Sequence, residues 1–282
     1  MDVEERKIDV DGLLTRYLTA GEGSPLVLLH ALGESVLDWR WVLPALARTH
    51  RVYAPDLPGF GDSAKPTADY SPAFFSRFVA AYLDALGIER AALVGNSLGG
   101  LVALRLALSE PARVSVLGLI DSAGLGREVS SALKSPTLPG YGEAAIALSK
   151  TPLGATQRAW LRVPLLFACP ARVPPEWSEE QYRLAQLPGF AEAVVVTLRA
   201  QVNLGGQHEV LLDQLPHLRM PTLIVWGESD RIFPVSQARE AITRLREGSL
   251  ELVPDCGHLP HVERPEHFVA ALDRFLGEQA HR

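Results

Sequence analysis

Two kinds of apolar pattern alternate along the chain. Residues 26–29, 91–94, 114–120 and 222–226 are short runs apolar at nearly every position. Such runs predict strands covered on both faces, as in a parallel sheet between layers of helix. Residues 3–18 alternate more loosely, with Val3, Ile8, Val10, Leu14 and Tyr17 among polar neighbours and Asp11-Gly12 as a two-residue turn. That pattern predicts an antiparallel hairpin at the edge. Residues 51–54 and 250–253 complete the strands.

Between these runs the period changes. Phe74, Phe75, Phe78, Val79, Tyr82, Leu83 and Leu86 recur near every 3.6 residues, with Ser71 as N-cap, Pro72 at the first helical position and Gly87 as the stop. Leu101, Val102, Leu104, Leu106 and Leu108 predict a largely buried helix ending at Pro111, and Trp39, Trp41, Val42, Leu43 and Leu46 predict another. From about residue 124 to 216 the alternation stops. Pro136, Pro139, Pro152, Pro164, Pro170, Pro174, Pro175 and Pro188 read as repeated breaks among helical fragments. So long an irregular stretch in a compact domain points to an active-site lid.

Composition narrows the classes. The 282 residues are 47% hydrophobic and 21% charged, enough for one large core with an insertion. A formal net charge of −6, with no block of like charges, argues against a nucleic-acid footprint and a polybasic membrane anchor. Small neutral or apolar substrates fit better. The charged start, Met1-Asp2-Val3-Glu4-Glu5-Arg6-Lys7, leads into no apolar signal region, and no run reaches membrane-spanning length, so a cytoplasmic location is expected. Cys169 and Cys256 form neither a C-x-x-C pair nor a metal-spaced set, and reduced thiols are the simpler reading.

The candidate chemistry centres on Gly95-Asn96-Ser97-Leu98-Gly99-Gly100, which joins a predicted strand to a predicted helix. A G-x-S-x-G turn at that junction lifts a serine hydroxyl above the sheet edge and places it at a helix N-terminus, where unpaired N–H groups favour developing negative charge. In this setting the sequence resembles the α/β-hydrolase fold superfamily, on its serine-nucleophile branch. The other motifs of that family follow in its chain order. His30-Ala31-Leu32-Gly33 is similar to its oxyanion loop, Asp56-Leu57-Pro58-Gly59-Phe60-Gly61-Asp62-Ser63 to a structural loop, Gly227-Glu228-Ser229-Asp230 to the acid loop, and Cys256-Gly257-His258, followed by Glu263-Arg264-Pro265, to the histidine loop.

The resemblance implies an α/β fold with a mostly parallel central sheet flanked by helices and a helical cap inserted after strand 6. Residues 1–124 and 216–282 would form the two parts of the core, and 125–215 the cap. It implies Ser97 as nucleophile, His258 as base and then acid, Asp230 as its orienting carboxylate, and the Leu32 and Leu98 N–H groups as the oxyanion hole, with no metal and no cofactor. Asp121, Glu228 and Asp255 compete for the acid role and His261 for the base role. His30 reads as a structural residue that fixes its loop. Ala31 stands where the family usually has Gly, and a Cβ there restricts positive φ, which leaves the loop's shape open. Gly59-x-Gly61-x-x-Ala64 imitates a dinucleotide fingerprint, but no helix opens until Ser71-Pro72, so the loop does not meet that requirement.

The first functional reading is a carboxylesterase acting on small to medium acyl esters through an acyl-enzyme. The elbow Gly95-Asn96-Ser97-Leu98-Gly99-Gly100 also looks like that of the carbon–carbon hydrolases of aromatic ring-fission products, although Ala31-Leu32 and Leu259 depart from their usual small residues and Trp. A lactonase is a third reading, and a triad-bearing small-molecule sensor a fourth of another class. Tyr141, Trp160, Leu165, Leu166, Phe167, Trp177, Tyr182 and Phe190 are candidates to line an acyl pocket.

Overall fold

The computed structural model describes residues 2–280. β1 (Glu4–Val10) and β2 (Leu13–Ala20) form the expected hairpin, with Asp11 and Gly12 both at positive φ in the turn. β3 (Pro25–Leu29), β4 (Arg51–Pro55), β5 (Ala91–Asn96) and β6 (Val114–Ile120) follow. After the insertion come β9 (Thr222–Gly227) and β10 (Gly248–Val253), β7 (Val202–Asn203) and β8 (Gly206–Gln207) being a separate small hairpin. The eight-stranded sheet runs β1-β2-β4-β3-β5-β6-β9-β10, antiparallel at β1/β2 and β2/β4 and parallel from β4 onward.

The uninterrupted apolar runs have a direct cause. Successive side chains of a strand point to opposite faces, and here both faces are covered. Val27, Leu29, Leu93, Ile224 and Trp226 belong to one buried cluster, while their neighbours Leu26, Leu28, Ala92, Val94, Leu223 and Val225 belong to the other. α2 (Pro72–Ala85), α3 (Leu98–Ser109) and α9 (Ser236–Arg244) contribute to the first cluster and α11 (Pro265–Ala280) to the second. The helix expected through Trp39 and Leu46 is two pieces, a 3-10 turn at Val36–Trp39 and the single turn α1 (Leu43–Leu46). Pro44 carries no N–H and fits only the first turn of a helix, so the helix restarts there.

The segment between β6 and β9 is helical. It carries α4 (Ser131–Lys134), α5 (Tyr141–Ser149), α6 (Pro152–Leu166), α7 (Pro175–Gln186) and α8 (Phe190–Gln201). Pro152 and Pro175, which read as breaks along the sequence, open α6 and α7, because a proline at the first helical position loses no hydrogen bond. α10 (Pro260–Glu263) follows the histidine loop. Among the described residues no helix is long and apolar enough to cross a membrane.

Candidate active site

Ser97 occupies the turn between β5 and α3 with φ 54° and ψ −112°, a left-handed conformation that side chains rarely adopt. The surroundings hold it there. Its N–H donates to the Ile120 carbonyl at 2.9 Å, and its own carbonyl accepts from Ala123 at 3.1 Å. The flanking glycines are required by close approach: a Cβ on Gly95 would lie 2.2 Å from the Gly99 backbone, and one on Gly99 would lie 2.2 Å from the Leu29 carbonyl oxygen. Strain of this kind persists only where neighbours over-determine the backbone. Leu98 is the first residue of α3, so its N–H falls in the turn whose amides have no partner within the helix.

His258 lies on the loop after β10, and its Nδ1 is 2.8 Å from Asp230 Oδ2, with both side chains buried. A carboxylate partner makes Nδ1 the protonated nitrogen, leaving Nε2 free to accept. Asp230 Oδ1 accepts from the Ile232 N–H at 2.7 Å. The histidine backbone is tied down as well. Its N–H donates to the Leu166 carbonyl of α6 at 2.7 Å, and its carbonyl accepts from Asn96 Nδ2 at 3.0 Å. Asn96 therefore links the serine turn to the histidine loop, a role its position inside the elbow did not disclose. Glu263 supports the same loop by accepting from the Gly257 and Cys169 N–H groups, both at 2.8 Å.

Of the competing residues only Asp121 lies beside the pair, with one of its oxygens, one of Asp230 and a ring nitrogen of His258 within 4.8 Å of one another; it is Asp230 that is in hydrogen-bond contact with the ring. Glu228 and Asp255 are exposed. His261 is buried against Trp39, with ring centroids 4.1 Å apart, and burial pushes its pKa down to about 3. His30 Nε2 accepts from the Leu57 N–H at 3.0 Å while Nδ1 donates to the Ala31 carbonyl at 2.8 Å. Burial lowers its pKa to about 4, so it stands as a neutral pin between two loops. The loop it pins takes its positive φ at Gly33 (72°) and not at Ala31, and a Cβ at position 31 is accommodated for that reason. Asp56 accepts from the Val36 and Asp62 N–H groups at 2.7 and 2.9 Å, which makes the 56–63 loop a brace for the stretch next to His30.

Ser97, His258 and Leu32 line one cleft, whose space measures about 580 Å³ out into the solvent at its mouth. Leu133, Leu165, Leu166, Leu198 and Val202 wall it from the insertion, and Ile232, Phe233 and Leu259 wall it from the core. Of the eight residues proposed from sequence to line an acyl pocket, Leu165 and Leu166 do so. Phe167, Trp177 and Phe190 are buried packing, and Tyr141, Trp160 and Tyr182 face solvent. The polar wall was not foreseen. Glu34, wholly buried, receives bonds from Arg162 and from Gln181 Nε2, the latter at 2.5 Å, so the one guanidinium among the lining residues already has a carboxylate partner. Arg158 donates to the Gly33 carbonyl at 3.0 Å and to Gln181 at 2.8 Å, and lies 5.1 Å from the Phe190 ring centre. Burial, together with the nearby Arg162, lowers its pKa to about 9.

The family model for the alpha/beta hydrolase fold matches residues 24–265. The chain is 33% identical over 282 residues to the 2-hydroxymuconate semialdehyde hydrolase of Pseudomonas sp. (strain CF600), covering 97% of this chain and 94% of that protein. Among solved structures it is similar to a serine hydrolase involved in carbazole degradation, with TM-score 0.81, 29% identity and coverage of 98% and 99% of the two chains. It is also similar to a bacterial membrane phospholipase A described as a virulence factor, with TM-score 0.82, 29% identity and coverage of 99% and 87%.

Proposed function

The chain belongs to the alpha/beta hydrolase fold family, and on that premise we propose that it cleaves neutral carboxylic esters of small to medium acyl chain through an acyl-enzyme. The observation that carries this reading is the pairing of Arg162 with Glu34 inside a cleft whose other lining residues, apart from Ser97, His258, Gln201 and Gln207, are apolar. A substrate bearing its own carboxylate would compete with Glu34 for that guanidinium, and a displaced buried carboxylate is costly. An uncharged acyl chain asks only for the leucines and valines that line the walls.

In the proposed mechanism His258 Nε2 accepts the Ser97 hydroxyl proton as Oγ attacks the substrate carbonyl, and Asp230 stabilises the imidazolium that forms. The Leu32 and Leu98 N–H groups hold the developing oxyanion, a contribution worth about 10²–10³ in turnover per donor where one has been removed. His258 then gives the proton to the leaving alcohol, and water repeats the sequence on the acyl-Ser97 ester. The steps need no metal or cofactor.

A second reading is carbon–carbon hydrolysis of aromatic ring-fission products, favoured by the 33% identity to the 2-hydroxymuconate semialdehyde hydrolase of Pseudomonas. One experiment separates the two. Hydrolysis of p-nitrophenyl esters from acetate to laurate is followed beside loss of a dienol ring-fission chromophore, with Ser97→Ala as the blank. Fast, chain-length-dependent ester release that vanishes in the blank supports the esterase, whereas feeble release with rapid loss of the dienol overturns it in favour of carbon–carbon cleavage.

A further inference from the structure

Behind Asp230, at the end of β6, sits a second carboxyl. Asp121 is wholly buried, and one oxygen of each aspartate together with a ring nitrogen of His258 all lie within 4.8 Å of one another. Asp121 Oδ1 accepts from the Gly227 N–H at 2.9 Å, while no donor reaches Oδ2 among the described residues. Asp121 also holds φ 40°, so the chain accepts a left-handed residue at the place that brings this side chain against Asp230. Two buried carboxyls at such range cannot both ionise. A contact between two acceptor oxygens becomes a hydrogen bond only when one of them carries a proton.

We propose that Asp121 is a positioning residue of the relay: it carries the proton of the pair, donates it to Asp230, and stands near enough to His258 to replace Asp230 when that carboxylate is removed. Burial and the adjacent Asp230 push Asp121 well above the usual carboxylate range, which is the direction that keeps the proton on it. The other titratable groups near it are His258, Glu263 and Cys256, the last of which also feels Arg264. Asp230 has its two oxygens committed to Ile232 and His258.

The inference rests on the reading of Ser97, His258 and Asp230 as a triad, and its test keeps the two apart. kcat/KM for a p-nitrophenyl ester is measured across pH for Asp121→Asn, Asp230→Asn and the double variant, each checked for a native circular-dichroism spectrum. An asparagine at 121 can still accept from Gly227 and donate to Asp230, so that variant should fall only a few-fold. Asp230→Asn should fall about 10²-fold and recover with rising pH as Asp121 ionises, and the double variant should fall about 10⁴-fold with no such recovery, the scale seen when a triad histidine loses its carboxylate. Equal rates for Asp230→Asn and the double variant at every pH would overturn the proposal, as would a loss in Asp121→Asn as large as that in Asp230→Asn. Should Asp121→Asn misfold, Asp121→Ser combined with Asp230→Asn gives the same comparison. Ester turnover in Ser97→Ala would instead strike at the triad reading itself.

Discussion

The floor and the roof of the cleft are held by different kinds of contact. Beneath the cleft, Ser97 is placed through main-chain groups, its amide on Ile120 and its carbonyl on Ala123. Above it, α6 and α7 meet the 30–35 loop through side chains, with Arg158 on Gly33, Arg162 and Gln181 on Glu34, and Ser35 on Glu180 at 2.7 Å. Main-chain contacts leave little positional freedom and tolerate almost no added atoms. Side-chain ties between charged partners can be exchanged for other pairs without moving the backbone. The floor therefore suits invariant chemistry and the roof suits changeable selectivity.

The largest expected effect tests the floor. On the proposed mechanism Ser97→Ala and His258→Ala should each lower kcat by at least about 10⁴-fold, and the double variant should be little worse, because the two would act as a unit. Multiplicative losses in a single-turnover assay would mean that the two side chains act separately. Next is Gly99→Ala, whose Cβ would meet the Leu29 carbonyl oxygen at 2.2 Å. With backbone on both sides, the expected cost is about 3–5 kcal/mol, read as a lowered urea midpoint. A midpoint unchanged from the parent would show that the floor yields more than its packing implies.

The roof should respond differently. Arg162→Met leaves Glu34 buried without its cation and is expected to cost about 3 kcal/mol, whereas Arg162→Met combined with Glu34→Gln should recover most of it. No comparable repair exists for Gly99. A double variant as unstable as the single one would remove the distinction between roof and floor.

The same difference decided what was legible in the sequence. Strands buried on both faces must be apolar throughout, so β3, β5, β6 and β9 stand out, and the close approaches at Gly95 and Gly99 leave glycine as the residue that fits. The elbow could be read for that reason, whereas the acid and histidine loops were picked out by their resemblance to the family's motifs. The Asp230–His258 contact was expected from loop order and is present at 2.8 Å. Glu34, Arg158, Arg162 and Gln181 carried no such mark, because a buried ion pair between residues 128 apart looks along the chain like ordinary surface charge. Pro152 and Pro175 misled for a local reason, since proline marks a helix start as readily as a break.

His261 sharpens the comparison at its smallest scale. It lies under the floor between Trp39 and Phe268, with ring centroids 4.1 and 5.9 Å away, where a charge has no partner, unlike the paired charges of the roof. Burial, with the nearby His258, holds its pKa near 3 against about 6.5 in an unfolded chain. A depressed histidine pKa means that the unfolded chain binds a proton the native protein refuses, so its stability contribution is complete above pH 6.5 and is lost progressively as the pH falls toward 3. At pH 5 that loss amounts to about 2 kcal/mol. His261→Phe keeps an aromatic ring against Trp39 and removes the titration, while the neutral His30 remains in both proteins and cancels in the difference. Urea unfolding at pH 7 and pH 5 should therefore find the variant losing about 2 kcal/mol less than the parent on acidification. Equal losses would mean that His261 takes up its proton in the folded state, and that the floor admits charge as readily as the roof does.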